Sequence, residues 1–349
     1  MIEEKIMREI GCKDLEYASL DELIKFQNRI IKESSFLKNA YKSKLYRKKW
    51  RKIKVRLSKI QSIRDLNKLP YITDKEIDDL YKKSINKIIS HAPQVWFYEK
   101  NGKRWVPYSK NDVKVFLRLI DRVFRITGLD DKDIVLNVAY SAPSLGDMLP
   151  YLMAYSQIMK DGEGVKTEII SISLDLLESG VNRLDFTEKR MPTVLLMKPS
   201  AALKIREFLK RPPENIKKAI FYGENLEKYR GEITRYYGRI EIFEMYTSID
   251  NITFSLECNE HNGIHLWLDI CIPEIIPTSE LEREKINPEY KPSATNICNA
   301  KEGETGELVL TVFREPLPLI RYRTGNIVKL IDNEKCKCGR FHPRIKIIN

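Results

Sequence analysis

The chain has 349 residues, of which 42% are hydrophobic and 32% are charged. A chain of this length and composition can bury one large core or two moderate cores, so it is predicted to be an ordinary globular protein without disulfide staples. Its formal net charge of +12 suits a nucleic-acid partner, an anionic membrane surface or polyanionic small molecules, and charge alone does not choose among them.

Targeting signals and cysteine usage both favour a reducing compartment. The N-terminus mixes acids and bases from its second residue, and no apolar run approaches the ~18 residues that a membrane span requires. The six cysteines are too few and too unevenly placed for a disulfide framework. The sequence therefore predicts a cytoplasmic protein with reduced thiols and no membrane span.

Residues 1–90 are predicted to form an N-terminal helical lobe. Ser19 is suited to cap a long helix that runs through Tyr46. Thr73 and Glu76 have the spacing of a capping box before another helix. The capping signals thus place at least two helices in this lobe.

A strongly basic run lies inside this lobe. Residues 38–59 hold eleven Lys or Arg and no acid. The run is interpreted as a solvated helical face with its following loop, as an RNA or DNA patch, or as a dock for a coenzyme or protein partner. A source organism that grows at high temperature or has an AT-rich genome would also enrich the chain in lysine, so the role of the run stays open.

Residues 91–250 are predicted to form an α/β core. Ser109 and Asp112 open a helix whose apolar residues recur every three or four positions, and Gly128 ends it. Short apolar runs separated by helix-like stretches follow, at Ile134 to Val138, Ile169 to Ile172, Val194 to Met197, Ala219 to Tyr222 and Ile240 to Met245. This alternation is typical of βαβ units, with a mostly parallel sheet covered by helices on both faces.

Residues 251–349 are predicted to form a smaller β-rich subdomain that contains a metal site. Cys258-x-x-His261 and Cys336-x-Cys338 supply four soft or borderline ligands, the number that a closed tetrahedral zinc site requires. Such a saturated set suits a structural zinc. His265 and His342 are spare candidates if His261 points away, and the alternative is that these residues are incidental core and surface side chains.

Six sequence blocks occur here in one order and resemble a known family. They are GENL at 223–226, the turn from Tyr246 to Asp250, ECxxHxGIHLW, GETGELVLT, PLIRYRTGN and CxCGRxHPR. Together they resemble the phenylacetate-coenzyme A ligase family of adenylate-forming enzymes, which includes coenzyme F390 synthetase-like and capsule-biosynthesis-like proteins. The resemblance implies the N-terminal body of that fold. It also implies a reaction in which a carboxylate and ATP form an acyl-adenylate, usually for transfer to coenzyme A.

The resemblance also implies a nucleotide site. Gly223, Glu224 and Tyr246 match the positions where the family holds the adenine and begins its Tyr-Gly-x-Thr-Glu motif, and the adjacent Thr247 is predicted to be a further nucleotide-binding residue. Asp250 stands where the family has the glutamate that binds the magnesium ion bridging the phosphates, and it is shorter by one methylene.

Three features depart from the family pattern. Asn326 replaces the ribose-binding aspartate that follows Arg321 in the family's RYRTGD block, and an amide carries no charge. The Ser, Thr and Gly-rich phosphate loop is reduced to Asn101-Gly102-Lys103, where Lys103 is a candidate phosphate contact or part of a hairpin turn. The chain stops at Asn349, so the mobile C-terminal domain of the family is expected to be absent, or replaced by a protein partner.

Three hypotheses of function follow from these observations. The first is a divergent adenylate-forming ligase with reduced or altered activity, acting on a carboxylate with ATP or AMP, magnesium and coenzyme A. The second is an inactive adenylation-fold protein that serves as a ligand-binding or scaffold subunit. The third is an RNA-associated module that uses residues 38–59. Arg321 could also only anchor the β-rich subdomain, and Glu224 could only cap the next helix.

Overall fold

In a computed structural model of the chain, residues 2–99, 104–139, 145–158, 167–180, 184, 189–209, 213–248 and 251–348 are described. The chain divides into two compact units. The first unit comprises Met1–Phe97, Asn101–Val115 and His265–Asn349, and the second comprises Tyr98–Lys100 and Phe116–Ile264. This division differs from the predicted domains 1–90, 91–250 and 251–349, because the N-terminal helices and the C-terminal strands share one unit.

The described residues form helices and strands in the following order. The helices are α1 Glu4–Glu9, α2 Lys13–Glu16, α3 Leu20–Lys32, α4 Phe36–Ala40, α5 Lys44–Lys52, α6 Asp74–Lys83, α7 Lys110–Thr127, α8 Leu145–Ile158, α9 Leu174–Glu178, α10 Pro199–Lys204, α11 Arg230–Tyr237 and α12 Thr278–Ile286. The strands are β1 Val95–Glu99, β2 Arg104–Tyr108, β3 Ile134–Ala139, β4 Glu168–Ser173, β5 Val194–Met197, β6 Lys218–Tyr222, β7 Glu241–Tyr246, β8 Ser255–Glu257, β9 Ile264–His265, β10 Cys271–Pro277, β11 Thr295–Asn296, β12 Thr305–Val312, β13 Leu319–Asp332 and β14 Arg344–Ile347. In the part of the chain that the structure describes, no helix combines the length and apolar composition of a membrane span.

The second unit is built on a mostly parallel sheet, which confirms the predicted α/β class. Its strands lie in the order β8-β7-β6-β5-β3-β4, and the pairs from β7 to β4 are all parallel. Each predicted apolar run forms one of these strands. Buried side chains such as Leu136, Leu195 and Phe221 form its core with Ala202 of α10 and Ile233 of α11.

The first unit contains an antiparallel sheet on which the N-terminal helices pack. Its strands lie in the order β11-β10-β12-β13-β14. Phe26 of α3 and Phe36 of α4 meet the ring of Phe313 edge to face. The hydroxyl of Tyr46 in α5 donates to the carbonyl of Pro318 at 2.6 Å. These contacts explain why the predicted helical lobe and the β-rich region form a single unit.

The predicted long helix from Ser19 to Tyr46 is in fact three helices. The capping box of Ser19 and Glu22 forms as expected, but α3 ends at Lys32. The hydroxyl of Ser34 bonds to the carbonyl of Ile30, and the hydroxyl of Ser43 accepts from the backbone N–H of Leu45 at the start of α5. Serine side chains that bond to the backbone compete with continued helix, so they interrupt it here.

The predicted helix start at Ser109 is confirmed, and it buries a carboxyl group. The carboxylate of Asp112 accepts from the backbone N–H of Ser109 at 2.8 Å and from that of Glu315 at 3.1 Å. The Asp112 side chain is almost fully buried, and burial raises its pKa to about 6 although the charge of Arg314 opposes this. The carboxylate thus favours its neutral form more in the folded than in the unfolded chain.

Replacement of Asp112 by asparagine should alter the pH dependence of stability. A folded pKa above the unfolded value gives a stability contribution that is present below about pH 4 and is lost as pH rises through about 6. The free energy of unfolding of the wild type, measured against that of Asp112→Asn, is therefore expected to fall by about 1–2 kcal/mol between pH 5 and pH 7. Urea denaturation at each pH measures this difference.

Asp65→Asn provides the control for this measurement. A hydrogen bond with Lys68 lowers the pKa of Asp65 to about 2, so the contribution of Asp65 is lost only as pH falls through that value. The difference between wild type and Asp65→Asn should therefore be flat from pH 5 to pH 7. A flat profile for Asp112→Asn as well would contradict the assignment of a raised pKa to Asp112.

Candidate functional site

Four of the predicted nucleotide-binding residues lie at one edge of the second unit's sheet. Gly223 and Glu224 directly follow β6, while Tyr246 ends β7 and Thr247 follows it. Strands β6 and β7 are parallel neighbours, so their carboxyl ends lie side by side. In open α/β sheets, ligands bind outside this carboxyl edge. The geometry of the sheet therefore brings these residues to the position where a ligand is expected.

Glu224 is held in place by the loop that follows β5. Its carboxylate accepts from the backbone N–H of Ser200 at 3.0 Å and from the Ser200 hydroxyl at 2.8 Å. The ammonium of Lys198 lies 3.9 Å from the same carboxylate. Gly223 has a φ of 76°, a left-handed conformation that favours glycine, and it allows the chain to turn beside Lys198. Lys198 and Ser200 were not among the site residues that the sequence predicted.

Thr247 carries an unusual hydroxyl group at this edge. Its side chain is only 6% exposed, and its Oγ1 atom has no hydrogen-bond partner among the described residues. A buried hydroxyl without a partner loses its bonds to water without compensation, which is unfavourable. A polar ligand bound at the carboxyl edge would satisfy this hydroxyl. Lys103 and Asp250, the other two candidates for phosphate and magnesium contacts, lie outside the described residues.

Arg321 and Asn326 belong to the first unit, and Arg321 is an internal anchor. Its guanidinium forms a bidentate pair with Glu274, with both distances 3.0 Å. The remaining N–H groups bond to the carbonyls of Asn67 and Leu69 and to the hydroxyl of Tyr71. An arginine has five N–H donors, and all five are used within the unit. The alternative role considered for Arg321, anchoring the β-rich region, is therefore the one the structure supports over the predicted cofactor contact.

Asn326 lies in a bulge of β13. In the pairing with β12, Glu307 faces Ile327 and Val309 faces Arg323, so three residues of β13 oppose one of β12. Gly325 allows this bulge with a φ of 72°. Bulges of this kind redirect side chains and occur often beside functional sites. Asn326 is half-buried within this bulge.

A cluster of metal-ligating side chains lies within the first unit. Ligand atoms of His265, Cys336 and Cys338 lie within 4.8 Å of one another, and Nε2 of His265 is 3.5 Å from Sγ of Cys338. Nδ1 of His265 lies 2.9 Å from the carbonyl oxygen of His342. A metal-binding histidine commonly donates its second N–H to such an oxygen, which directs the other nitrogen to the metal. The donor set therefore fits zinc.

Hydrogen bonds within the cluster shift the pKa values of its side chains. Burial raises the pKa of the Cys336 thiol, but hydrogen bonds with His265 and with the backbone of Cys338, together with the charge of His265, leave the pKa below its ordinary value. Burial lowers the pKa of His265, but hydrogen bonds with Cys336, Cys338 and the carbonyl of His342 together leave the pKa above its ordinary value. A zinc ligand is a thiolate, so a lowered thiol pKa is consistent with the proposed chemistry.

His261 is not part of this cluster, which corrects the predicted ligand set. Its ring packs against Phe243, with centroids 5.1 Å apart, and its Nε2 lies 3.6 Å from the carboxylate of Glu241. The His261 backbone has a φ of 46°, so it forms part of a turn. His265, named as a spare candidate, occupies the histidine position instead. Cys258 is buried in the second unit, directly after β8.

Comparison with known proteins confirms the resemblance that the sequence blocks predicted. No protein-family profile matches the chain. A phenylacetate-coenzyme A ligase of Escherichia coli (strain K12) is 27% identical over 334 residues, covering 91% of this chain and 69% of the relative. The enzyme of the same name from Thermus thermophilus is 25% identical, covering 82% of this chain and 60% of the relative. The chain thus spans between 60% and 69% of the length of these two relatives.

Solved structures confirm the fold. An open conformation of 2-hydroxyisobutyryl-CoA ligase in complex with 2-HIB-AMP and CoA superposes with a TM-score of 0.75 at 17% identity, covering 96% of this chain and 71% of that one. The same ligase in a postadenylation state gives a TM-score of 0.75, with 95% and 69% covered. The chain therefore has the α/β fold of the N-terminal body of an adenylate-forming ligase and is ligase-like in sequence.

Proposed function

We propose that this chain is a divergent adenylate-forming ligase that binds ATP at the carboxyl edge of β6 and β7. The observation that carries the proposal is the buried hydroxyl of Thr247 at that edge, which has no hydrogen-bond partner among the described residues and lies next to the residues that match the family's nucleotide blocks. The similarity to phenylacetate-coenzyme A ligases supports a carboxylate as the second substrate. The proposed acceptor of the acyl group is coenzyme A.

The proposed reaction has two steps. An oxygen of the substrate carboxylate attacks the α-phosphorus of ATP, the bond from that phosphorus to the bridging oxygen breaks, and acyl-AMP and pyrophosphate form. The thiolate of coenzyme A then attacks the acyl carbon and releases AMP. Because the transition state of the first step carries phosphate charge, positioning and electrostatic stabilisation supply most of its acceleration.

Each candidate residue has a distinct role in this proposal. Tyr246 and the turn at Gly223 hold the adenine, and Thr247 donates its hydroxyl proton to the bound nucleotide. Asp250 binds the magnesium ion that accompanies ATP, and Lys103 contacts a phosphate as a point charge. Asn326 accepts one hydrogen bond from the ribose through its amide oxygen, while a carboxylate there would accept more strongly.

Replacement of Asn326 by aspartate should therefore tighten nucleotide binding. A hydrogen bond to a charged acceptor contributes about 1 kcal/mol more than one to a neutral acceptor, which corresponds to about a fivefold lower dissociation constant for AMP. Isothermal titration calorimetry of wild type and Asn326→Asp measures the change. Asn299→Asp is the matched control because Asn299 is exposed in the first unit. The affinity of this variant for AMP should equal that of the wild type.

Pyrophosphate release in the presence of ATP, magnesium and a panel of carboxylates tests catalysis itself. The proposal expects release with at least one carboxylate and its loss in Asp250→Ala. Activity that survives this substitution would remove Asp250 as the magnesium ligand. Absence of ATP and AMP binding even at millimolar concentration would reject the ligase and favour the ligand-binding or scaffold subunit instead.

We further propose that the chain binds one structural zinc ion. The convergence of His265, Cys336 and Cys338 supports it, and the sequence offers Cys258, seven residues before His265, as the fourth ligand. Four protein ligands leave no open position for water, so this zinc stabilises the fold and does not take part in catalysis.

A further inference from the structure

The positive charge of the chain is concentrated in one short segment. Residues 38–59 carry eleven cationic side chains and no acid, while the whole chain has a net charge of +12. Twelve minus eleven leaves a net charge of +1 for all other residues. A generally Lys-rich composition would spread the excess along the chain, so the basicity belongs to this segment in particular.

Nearly all of this charge is exposed and unpaired. Lys49 is the exception, because its ammonium lies 2.6 Å from the Glu76 carboxylate. The other ten side chains of residues 38–59, here called the basic face, are exposed, and none forms an ion pair with an acidic group in the described part of the chain. Exposed cations elsewhere, such as Arg8 and Arg283, pair with a glutamate three or four residues away.

Helix α5 arranges half of the basic face in a row. Its exposed cations occupy positions 44, 47, 48, 51 and 52, which is the spacing of a single helix face. The opposite face, with Leu45, Tyr46 and Trp50, is buried in the first unit. Two cations per turn of about 5.4 Å give a dense line of charge that complements a chain of regularly spaced phosphates.

The chemistry of the basic face separates the candidate partners. A helix that binds a membrane surface needs an exposed apolar face, but the apolar face of α5 is already buried. A protein interface needs apolar or aromatic anchors. Residues 38–59 are all described, and among them Ile53 is the only large hydrophobic residue that is exposed. Protein surfaces that bind nucleic acid are more polar and more positively charged than protein–protein interfaces, as the basic face is.

We propose that the basic face binds the phosphate backbone of nucleic acid without sequence specificity. This role is independent of the proposed ligase activity. The basic face has long, flexible cations suited to phosphate oxygens and no exposed aromatic side chain on which a base could stack. Binding is therefore electrostatic, and the observed association constant falls steeply with salt.

The test uses a triple variant, Lys44→Gln/Lys48→Gln/Lys52→Gln, in the full chain. None of these three side chains is part of the proposed ligase or zinc site. Its control is Lys285→Gln/Lys291→Gln/Lys301→Gln, which removes three exposed charges elsewhere in the first unit and reaches the same net charge. Fluorescence anisotropy measures binding to a single-stranded RNA of about 30 nucleotides and to a DNA duplex of about 30 base pairs. The salt concentration is varied between about 50 and 200 mM.

The wild type and the control are expected to bind both probes with a similar salt dependence. The basic-face variant should bind at least about tenfold more weakly at 100 mM salt, with a log–log salt slope shallower by about 2–3. Equal weakening in both triple variants, or no binding of the wild type at the lowest salt, would overturn the proposal. If the wild type binds polyglutamate or phosphatidylserine vesicles as tightly as it binds RNA and DNA, the proposal is overturned in favour of an acidic protein or a membrane as the partner. Thermal unfolding confirms that each variant is folded.

Discussion

Substitution of Cys336 by serine is expected to remove about one equivalent of zinc and to lower the free energy of unfolding by at least about 3 kcal/mol. Structural zinc in small folds binds with about 10–16 kcal/mol, so even partial coupling to the first unit has a large effect. Metal analysis of protein purified without a tag measures the zinc content. Urea denaturation with and without a chelator measures its contribution to stability.

Four further substitutions give this prediction its resolution. Cys298→Ser changes a half-buried thiol outside the cluster and should leave zinc content unchanged. His265→Asn should lose zinc, whereas His261→Asn should keep it, because the ring of His261 packs against Phe243 instead. Cys258→Ser tests the fourth ligand. Full zinc content together with unchanged stability in Cys336→Ser would contradict the proposed zinc site.

The choice between the two histidines shows where sequence reasoning reached its limit. Cys258-x-x-His261 has the spacing of a common zinc motif, so it drew attention to His261. His265 stands between apolar residues in GIHLW and looks like a core residue of a strand. Which side of a two-residue strand faces Cys336 and Cys338 depends on pairing with distant segments, and no local pattern encodes that.

The strands were predictable and the helix breaks were not, for physical reasons. Buried parallel strands are short apolar runs bounded by polar residues, and such runs located β3 to β7 almost to the residue. The break after α3 depends on whether the hydroxyl of Ser34 bonds to the backbone, as it does to the carbonyl of Ile30. Since serine is also tolerated within helices, its presence alone did not predict the break.

The RYRTGN block illustrates a second limit. The sequence related Arg321 and Asn326 to a nucleotide site as a pair, although they differ in environment. Arg321 binds Glu274, which lies 47 residues earlier in the chain, and only the register of β10, β12 and β13 brings the two together. Asn326 lies in the bulge that the same register creates. The motif identifies the fold, while the register of the strands decides the environment of each of its residues.

Replacement of Arg321 by methionine is expected to destabilise the first unit strongly. The side chains of Arg321 and Glu274 are only 4% and 6% exposed, so the substitution leaves a buried carboxylate without its partner. Breaking a buried pair in this way costs about 3–5 kcal/mol. Burial already raises the pKa of Glu274, which the charge of Arg321 opposes, so the variant should take up a proton at Glu274 and lose less stability at low pH.

A double substitution separates the cost of an orphaned charge from the value of the pair. Replacing a buried pair by apolar residues of similar size is often neutral, so Arg321→Met/Glu274→Met should recover most of the stability lost in Arg321→Met. Arg8→Met, which breaks an exposed pair with Glu4, should leave the free energy of unfolding almost unchanged, because solvent screens exposed ion pairs. If the double variant is instead as unstable as the single variant, the bonds of Arg321 to Asn67, Leu69 and Tyr71 dominate its role. In that case Arg321 stabilises the unit mainly by joining the segment before α6 to β13.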